Sequence, residues 1–154
     1  LEAACFPPAE AATVESLRQR LWHYPRHFWI LERDGRMIAL VNGMATDEPD
    51  LRDEMYGNAA LHDAQGAWQM IFGVDTHPEF RRQGCASRLL RHVIEAARVQ
   101  GRRGLVLTCK EGLLPFYERF GFQSEGISES GHGGVTWYQM RLTLDEQEVG
   151  ERNG

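Results

Sequence analysis

Residues 68–98, WQMIFGVDTHPEFRRQGCASRLLRHVIEAAR, decide the fold. The first part, 68–74, is an apolar run of strand length that ends at the His77-Pro78 breaker, as expected for a strand buried on both faces. Further on, Ala86, Leu89, Leu90, Val93, Ile94 and Ala97 recur at helical spacing, while Arg88, Arg91, Glu95 and Arg98 fall on other faces. Between strand and helix lies Arg81-Arg82-Gln83-Gly84-Cys85-Ala86. The first amides of a helix lack intrahelical partners, and the helix dipole adds partial positive charge there. A strand that turns through a basic, glycine-bearing segment into a helix is therefore a way to build an anion site; the alternative is a solvated turn before an ordinary helix. Residues 105–109 form another short apolar run after Gly101 and Gly104. Strand, helix and strand at this spacing predict a right-handed parallel crossover.

Upstream, residues 9–23 are helical in pattern, with Val14, Leu17 and Leu21 on one face, Glu10 or Thr13 near the start, and Pro25 past the end. Residues 28–33 and 37–41 read as strands joined by Asp34-Gly35, a strong hairpin signal. From 42 to 66 the pattern loosens around Gly43, Pro49, Gly57 and Gly66, with a short helix expected at 49–56. A connection this long either borders a binding site or is a surface excursion. Downstream, a short helix is expected at 112–120, a strand at 122–126 and a final strand at 135–144. In that last strand Tyr138, Met140, Leu142 and Leu144 alternate with Gln139, Arg141 and Thr143.

The expected architecture is one α/β domain over 1–144 with a polar tail at 145–154. A chain of 154 residues with 42% hydrophobic and 25% charged residues suits a globular domain. Its net charge of −5 offers no general field for nucleic acid or an acidic membrane, so any anion site must be local. No apolar run approaches the ~20 residues of a membrane span. Cys5, Cys85 and Cys109 are odd in number and widely spaced, which suits a reducing cytoplasm better than a disulfide framework or a zinc site. The chain opens on Leu1, and LEAACF reads like the last turn of a helix whose beginning is missing, so a truncated start is expected.

The segment VDTHPEFRRQGCASRLL resembles the acetyl-CoA-binding segment of the GNAT (GCN5-related) N-acetyltransferase superfamily. That family's Arg/Gln-x-x-Gly-x-Gly/Ala pattern falls on Arg81, Gly84 and Ala86. LLPFYERFGF, residues 113–122, resembles the family's second signature. Cys109-Lys110-Glu111 followed by Leu114-Pro115-Phe116-Tyr117 is closer still to the arylalkylamine N-acetyltransferase branch and similar bacterial proteins. The resemblance implies a mixed sheet flanked by helices, with two central parallel strands splayed apart and a first strand that this chain lacks. It implies acetyl-CoA as co-substrate without a metal. The cofactor would lie against Gly73, Val74, Thr76, Arg81, Arg82, Gln83, Gly84, Cys85, Ala86, Ser87, Cys109 and Phe116. The expected partner is a small-molecule amine acetylated by direct attack, with a homodimer as the one assembly anticipated. A protein N-terminal or lysine acetyltransferase and a catalytically silent acyl-CoA-binding module stay open. Two histidines of the vertebrate arylalkylamine enzymes fall on Met70 and Phe72 here, so their proton route does not carry over.

Acetyl transfer needs a held cofactor, a neutral amine, a stabilised oxyanion and a leaving thiolate. Tyr117 is the expected proton donor to sulfur, since a phenol of pKa ~10 and a thiol of pKa ~8.5 are not far apart. Its alternative is a core aromatic stacked with Phe116 and Phe120. The oxyanion donor is expected among the backbone N–H groups of 73–75. Asp75 leads the candidates for the amine's proton, followed by Glu32, His62, Glu129 and His132. Cys109 raises the alternative of an acetyl-cysteine intermediate, against which stands its reading as a small buried hydrophobe. The loop 128–134 either closes over the amine or simply joins two strands.

Overall fold

Asp34 and Gly35 both adopt left-handed conformations, with φ of 52° and 76°, as a two-residue hairpin turn demands. They join β1 (Phe28–Arg33) to β2 (Arg36–Asn42) in an antiparallel pair. The computed structural model describes residues 14–128 and 135–144. Around this hairpin run α1 (Val14–His23), β3 (Ala45–Thr46), α2 (Asp53–Gly57), β4 (Trp68–Ile71), β5 (Gly73–Thr76), α3 (Cys85–Val99), β6 (Gly104–Cys109), α4 (Leu114–Glu118), β7 (Gln123–Ile127) and β8 (Tyr138–Thr143). The α/β class is as expected. The expected helix starts at Glu10 and Thr13, Cys5, Glu129, His132, most of the 128–134 loop and the 145–154 tail lie outside the described residues.

The strands form two sheets, ordered β1-β2-β5 and β3-β4-β6-β8-β7. β4 and β6 are parallel, in register from Trp68↔Gly104 to Ile71↔Leu107, which confirms the crossover around α3. The 68–74 strand is not continuous as the sequence suggested. It breaks at Phe72 and resumes as β5, which reaches Thr76 and pairs with β2. At the break the Phe72 N–H donates to the Asn42 carbonyl at 2.7 Å, although Asn42 is already the register partner of Gly73. Two residues thus oppose one, a bulge that turns the chain from one sheet into the other. Gly43 permits the close approach, because a Cβ there would collide with the Met70 carbonyl.

The core has two parts. One packs α3 on the sheet through Leu89, Leu90 and Val93 against Ile71, Leu105, Leu107 and Met140, and takes in Tyr117 and Phe122. The helical face read from the sequence is confirmed, with Ala86 and Ile94 at its half-buried margin. The other lies under the 47–67 connection, where Leu51, Met55 and Ala59 anchor the segment against Trp68, Met70 and Val106. The helix in that connection is shorter than expected and starts at Asp53.

α1 departs from its predicted face. Leu21 is 50% exposed, and the buried position is Arg20, at 3%. Its guanidinium donates to Asn42 Oδ1 at 2.8 Å and the Tyr56 carbonyl at 3.1 Å, and lies over the Phe72 ring at 4.9 Å. A buried cation met by oriented oxygens and an aromatic face outweighs the apolar stripe here.

Candidate active site

The parallel ladder between β4 and β6 ends at Ile71↔Leu107. Beyond it β5 follows β2, while Thr108 and Cys109 run on beside β8, opposite Gln139 and Tyr138. The two limbs therefore diverge into a V. The His77 N–H donates to the Ile38 carbonyl at 2.8 Å, which sets the alternation of the β2–β5 ladder. Asp75 and Gly73 face β2 with their backbone groups, so the Val74 N–H turns away from β2 into the opening. Of the three backbone N–H groups in 73–75, it is the one directed away from the β2 ladder.

At the open end of the V, past Thr76, Arg81 to Ser87 link β5 to α3. Pro78–Phe80 form a 3₁₀ turn whose start is capped by His77 Nδ1, which accepts from the Glu79 N–H at 3.2 Å. Arg82 and Gly84 then both take positive φ, 66° and 77°. A left-handed non-glycine residue is held at a cost, and such residues concentrate at functional sites. Left-handed residues alternating in a short loop turn successive N–H groups toward a shared concavity that suits anions. The Arg88 N–H donates to the Gly84 carbonyl at 3.0 Å, so the amides of Cys85, Ala86 and Ser87 precede the first bond of the helix. A Cβ on Gly84 would meet nothing within 4 Å; glycine is required there for its φ, and the space above it is open. Arg81, Arg82 and Gln83 are exposed, and the hairpin residue Arg33 reaches Gln83 Oε1 at 3.4 Å.

The remaining predicted residues converge on the V from other elements. Tyr117, on α4, is 6% exposed, and its ring makes edge contacts with Phe116 and Phe122. Phe116 also meets Phe120 edge-on, so the aromatic cluster expected around Tyr117 forms by edge contacts, with Phe122 rather than Phe120 against the phenol ring. Burial pushes the Tyr117 phenol above the usual tyrosine range, and the neighbouring Cys109 and Asp75 raise it further. Asp75 is 1% exposed, the one buried carboxylate among the described residues. Cys109 ends β6 with Sγ 3.6 Å from Met140 Sδ, and burial lifts its thiol to about 11. Tyr117, Asp75 and Cys109 are thus brought together, with Gly73, Val74 and Thr76 along the β5 limb.

Two expected bases are separated from this centre by their settings. Glu32 is exposed beside the hairpin turn. His62 accepts the Ala45 N–H on Nδ1 at 3.0 Å, which leaves its proton on Nε2 and no lone pair to act with. Burial, helped by His27 and Arg102, lowers its pKa to about 4. His27 escaped the sequence reading: its Nδ1 lies 2.7 Å from Gln69 Oε1, while Gln69 Nε2 donates to the Met44 and Met70 carbonyls. Tyr56 was missed as well. Its ring meets Phe72 at 4.7 Å and its hydroxyl lies 3.1 Å from Thr108 Oγ1. The only available signal was its place in a long connection. An open pocket of about 400 Å³ on that connection is lined, among the described residues, by Asp50, Arg52, Asp53 and Glu54, none of them a predicted site residue.

Comparison with known proteins agrees with this geometry. Residues 1–122 match the model of the Acetyltransferase (GNAT) family. Serotonin N-acetyltransferase of Mesocricetus auratus is 32% identical over 112 residues, which are 72% of this chain and 53% of that protein. Human N-acetyltransferase 8 is 28% identical over 104 residues, 66% of this chain and 40% of that protein. The chain thus spans about half the length of the curated relatives it matches. In shape it is similar to the GphF GNAT-like decarboxylase in complex with isobutyryl-CoA, with a TM-score of 0.80 at 24% identity over 94% of this chain and 92% of that one. The ribosomal-protein-S18-alanine N-acetyltransferase of Escherichia coli gives 0.67 at 17% identity over 94% and 83%. With its family model matched over most of its length and the splayed parallel strands that its motifs implied, the chain belongs to the GNAT acetyltransferase family.

Proposed function

We propose that this chain transfers the acetyl group of acetyl-CoA to a primary amine of a small molecule by direct attack. The observation that carries the reading is the V between β5 and β6, with Tyr117 and Asp75 beside it and the left-handed Arg82–Gly84 loop at its open end. The loop and the first amides of α3 hold the pyrophosphate, with the arginine charges nearby. The pantetheine arm then runs into the V. The Val74 N–H donates to the thioester oxygen, most strongly as charge develops on it.

The amine nitrogen bonds to the carbonyl carbon and the carbon–sulfur bond breaks. The amine loses one proton to Asp75, and the thiolate takes one from Tyr117; return of the proton from Asp75 to the phenol closes the cycle. The raised phenol stays protonated at neutral pH, as a proton donor must. Its distance from the ordinary thiol range is wider than the sequence suggested, and the same burial raises the sulfur's own affinity for a proton. A Cys109 thiol at about 11 is about one part in ten thousand thiolate at pH 7, which favours direct attack over an acetyl-cysteine. Buried, free Cys85 and Cys109 are consistent with a reducing, cytoplasmic setting.

Support for a small amine comes from the serotonin N-acetyltransferase relatives. The likeness to a decarboxylase concerns shape alone. Thiol release from acetyl-CoA, measured across small amines, polyamines, amino acids and short peptides, tests the reading. Turnover with a small amine is expected. Release with peptides alone would replace it by a protein acetyltransferase, and cofactor binding without release for any acceptor would leave a binding module.

A further inference from the structure

We propose that Tyr56 is a positioning residue for the reacting thioester, because it spans the two limbs of the V and fixes how far they stand apart. Phe72 is the hinge of the first limb, the residue at which β4 gives way to β5. Thr108 is the first residue of the second limb beyond the ladder. Tyr56 touches both, ring to ring with Phe72 at 4.7 Å and hydroxyl to hydroxyl with Thr108 at 3.1 Å.

The span is braced from behind. The Tyr56 carbonyl accepts from Arg20 Nη2 at 3.1 Å, and the same guanidinium covers the outer face of this group over Phe72 and donates to Asn42 Oδ1. Asn42 in turn takes the Phe72 N–H on its carbonyl at the bulge. Met55, one residue before Tyr56, is 2% exposed and seats α2 in the second core. Phe72 and Tyr56 itself are therefore held by buried groups, and Thr108 by its place in the β6–β8 ladder. The Val74 N–H lies two residues past Phe72, and Cys109, neighbour of Tyr117, lies one past Thr108. A change in separation at Phe72 and Thr108 shifts the amide and the phenol relative to each other, and misplacement of about 1 Å can cost about a hundredfold in rate. This role belongs to the 47–67 connection, not to either family signature.

The proposal rests on the acetyl-transfer reading, and the experiment separates the two. Tyr56→Phe keeps the ring and removes the hydroxyl; Thr108→Val removes the other end, and Thr108→Ser keeps it. Expected are a fall in kcat of about fivefold to twentyfold for Tyr56→Phe and for Thr108→Val, near wild-type turnover for Thr108→Ser, and a double variant no worse than either single one. The affinity for CoA stays unchanged, while the preference for acetyl-CoA over CoA, measured by calorimetry, narrows in both hydroxyl-deleted variants. A Tyr56→Phe enzyme with wild-type kcat, or single effects that simply multiply in the double variant, would overturn the positioning role. If the wild type releases no thiol with any amine, the acetyl-transfer reading fails by itself. The calorimetric preference still decides the positioning: an unchanged preference in Tyr56→Phe overturns it, and a narrowed one supports it.

Discussion

The open end of the V and the space between its limbs are built in different ways. At the open end, Arg81 to Ser87 form one contiguous stretch whose available donors are backbone amides, exposed and set by two left-handed φ angles. Between the limbs, Asp75, Tyr117, Cys109, Tyr56 and Thr108 come from four separate elements, and their side chains are buried or half-buried. A backbone site depends on conformation and tolerates side-chain change. A side-chain site depends on packing, because the fields of buried groups set each other's protonation. Holding the cofactor and making it react should therefore fail separately.

The largest effect is expected between the limbs. Tyr117→Phe should lower kcat tenfold or more while the acetyl-CoA Kd barely moves, as steady-state kinetics and calorimetry would show. Unchanged turnover would remove the phenol from the chemistry. Next comes the open end. Gly84→Val forces a β-branched residue into the left-handed region, and the loop should give up its conformation before the side chain does. Cofactor affinity should fall about tenfold, with kcat at saturation nearly preserved. Unaltered affinity would count against the phosphate seat.

A smaller effect belongs to neither region. His62 has its pKa depressed to about 4, from an ordinary value of 6.5, by burial and by His27, Arg102 and His23, with Asp63 opposing. His27, its ring neighbour at 4.8 Å, is lowered as well. A folded-state pKa below the unfolded one means the unfolded chain binds the proton more readily. Stability is therefore present above pH 6.5 and lost as pH falls toward 4, at no more than about 1.4 kcal/mol per pH unit for His62. Denaturant midpoints between pH 7 and 4 should drop less steeply in His62→Gln; an equal slope would exclude this histidine as the cause. The smallest effect is expected for Cys109→Ala. Its kcat should stay within about twofold, whereas an acetyl-cysteine route would lose turnover entirely.

The contrast also explains what the sequence could disclose. The turn from β5 into α3 was legible because all its determinants are local: a glycine, two arginines and the apolar spacing of α3 lie within one short window. The hairpin was legible for the same reason, in Asp34-Gly35. The break at Phe72 was not, since nothing in an apolar strand marks where a partner on another sheet takes over; the bulge depends on Asn42 and on the room left by Gly43. α1 was misread because period counting assigns an arginine to solvent, and only the tertiary partners Asn42, Tyr56 and Phe72 make Arg20 a buried residue. Tyr117 and Asp75 were named as candidates, but their proximity was invisible at a separation of 42 positions. Tyr56 belonged to a connection that periodicity left nearly blank, and it became interpretable through its two contacts.

A crystal structure with acetyl-CoA bound tests the division between holding and reacting most directly. The pyrophosphate oxygens should lie within hydrogen-bond distance of the backbone N–H groups between Gly84 and Ser87, with the thioester oxygen toward the Val74 N–H and the sulfur toward Tyr117. A cofactor whose pyrophosphate sits away from that loop, or whose sulfur points away from Tyr117, would contradict it.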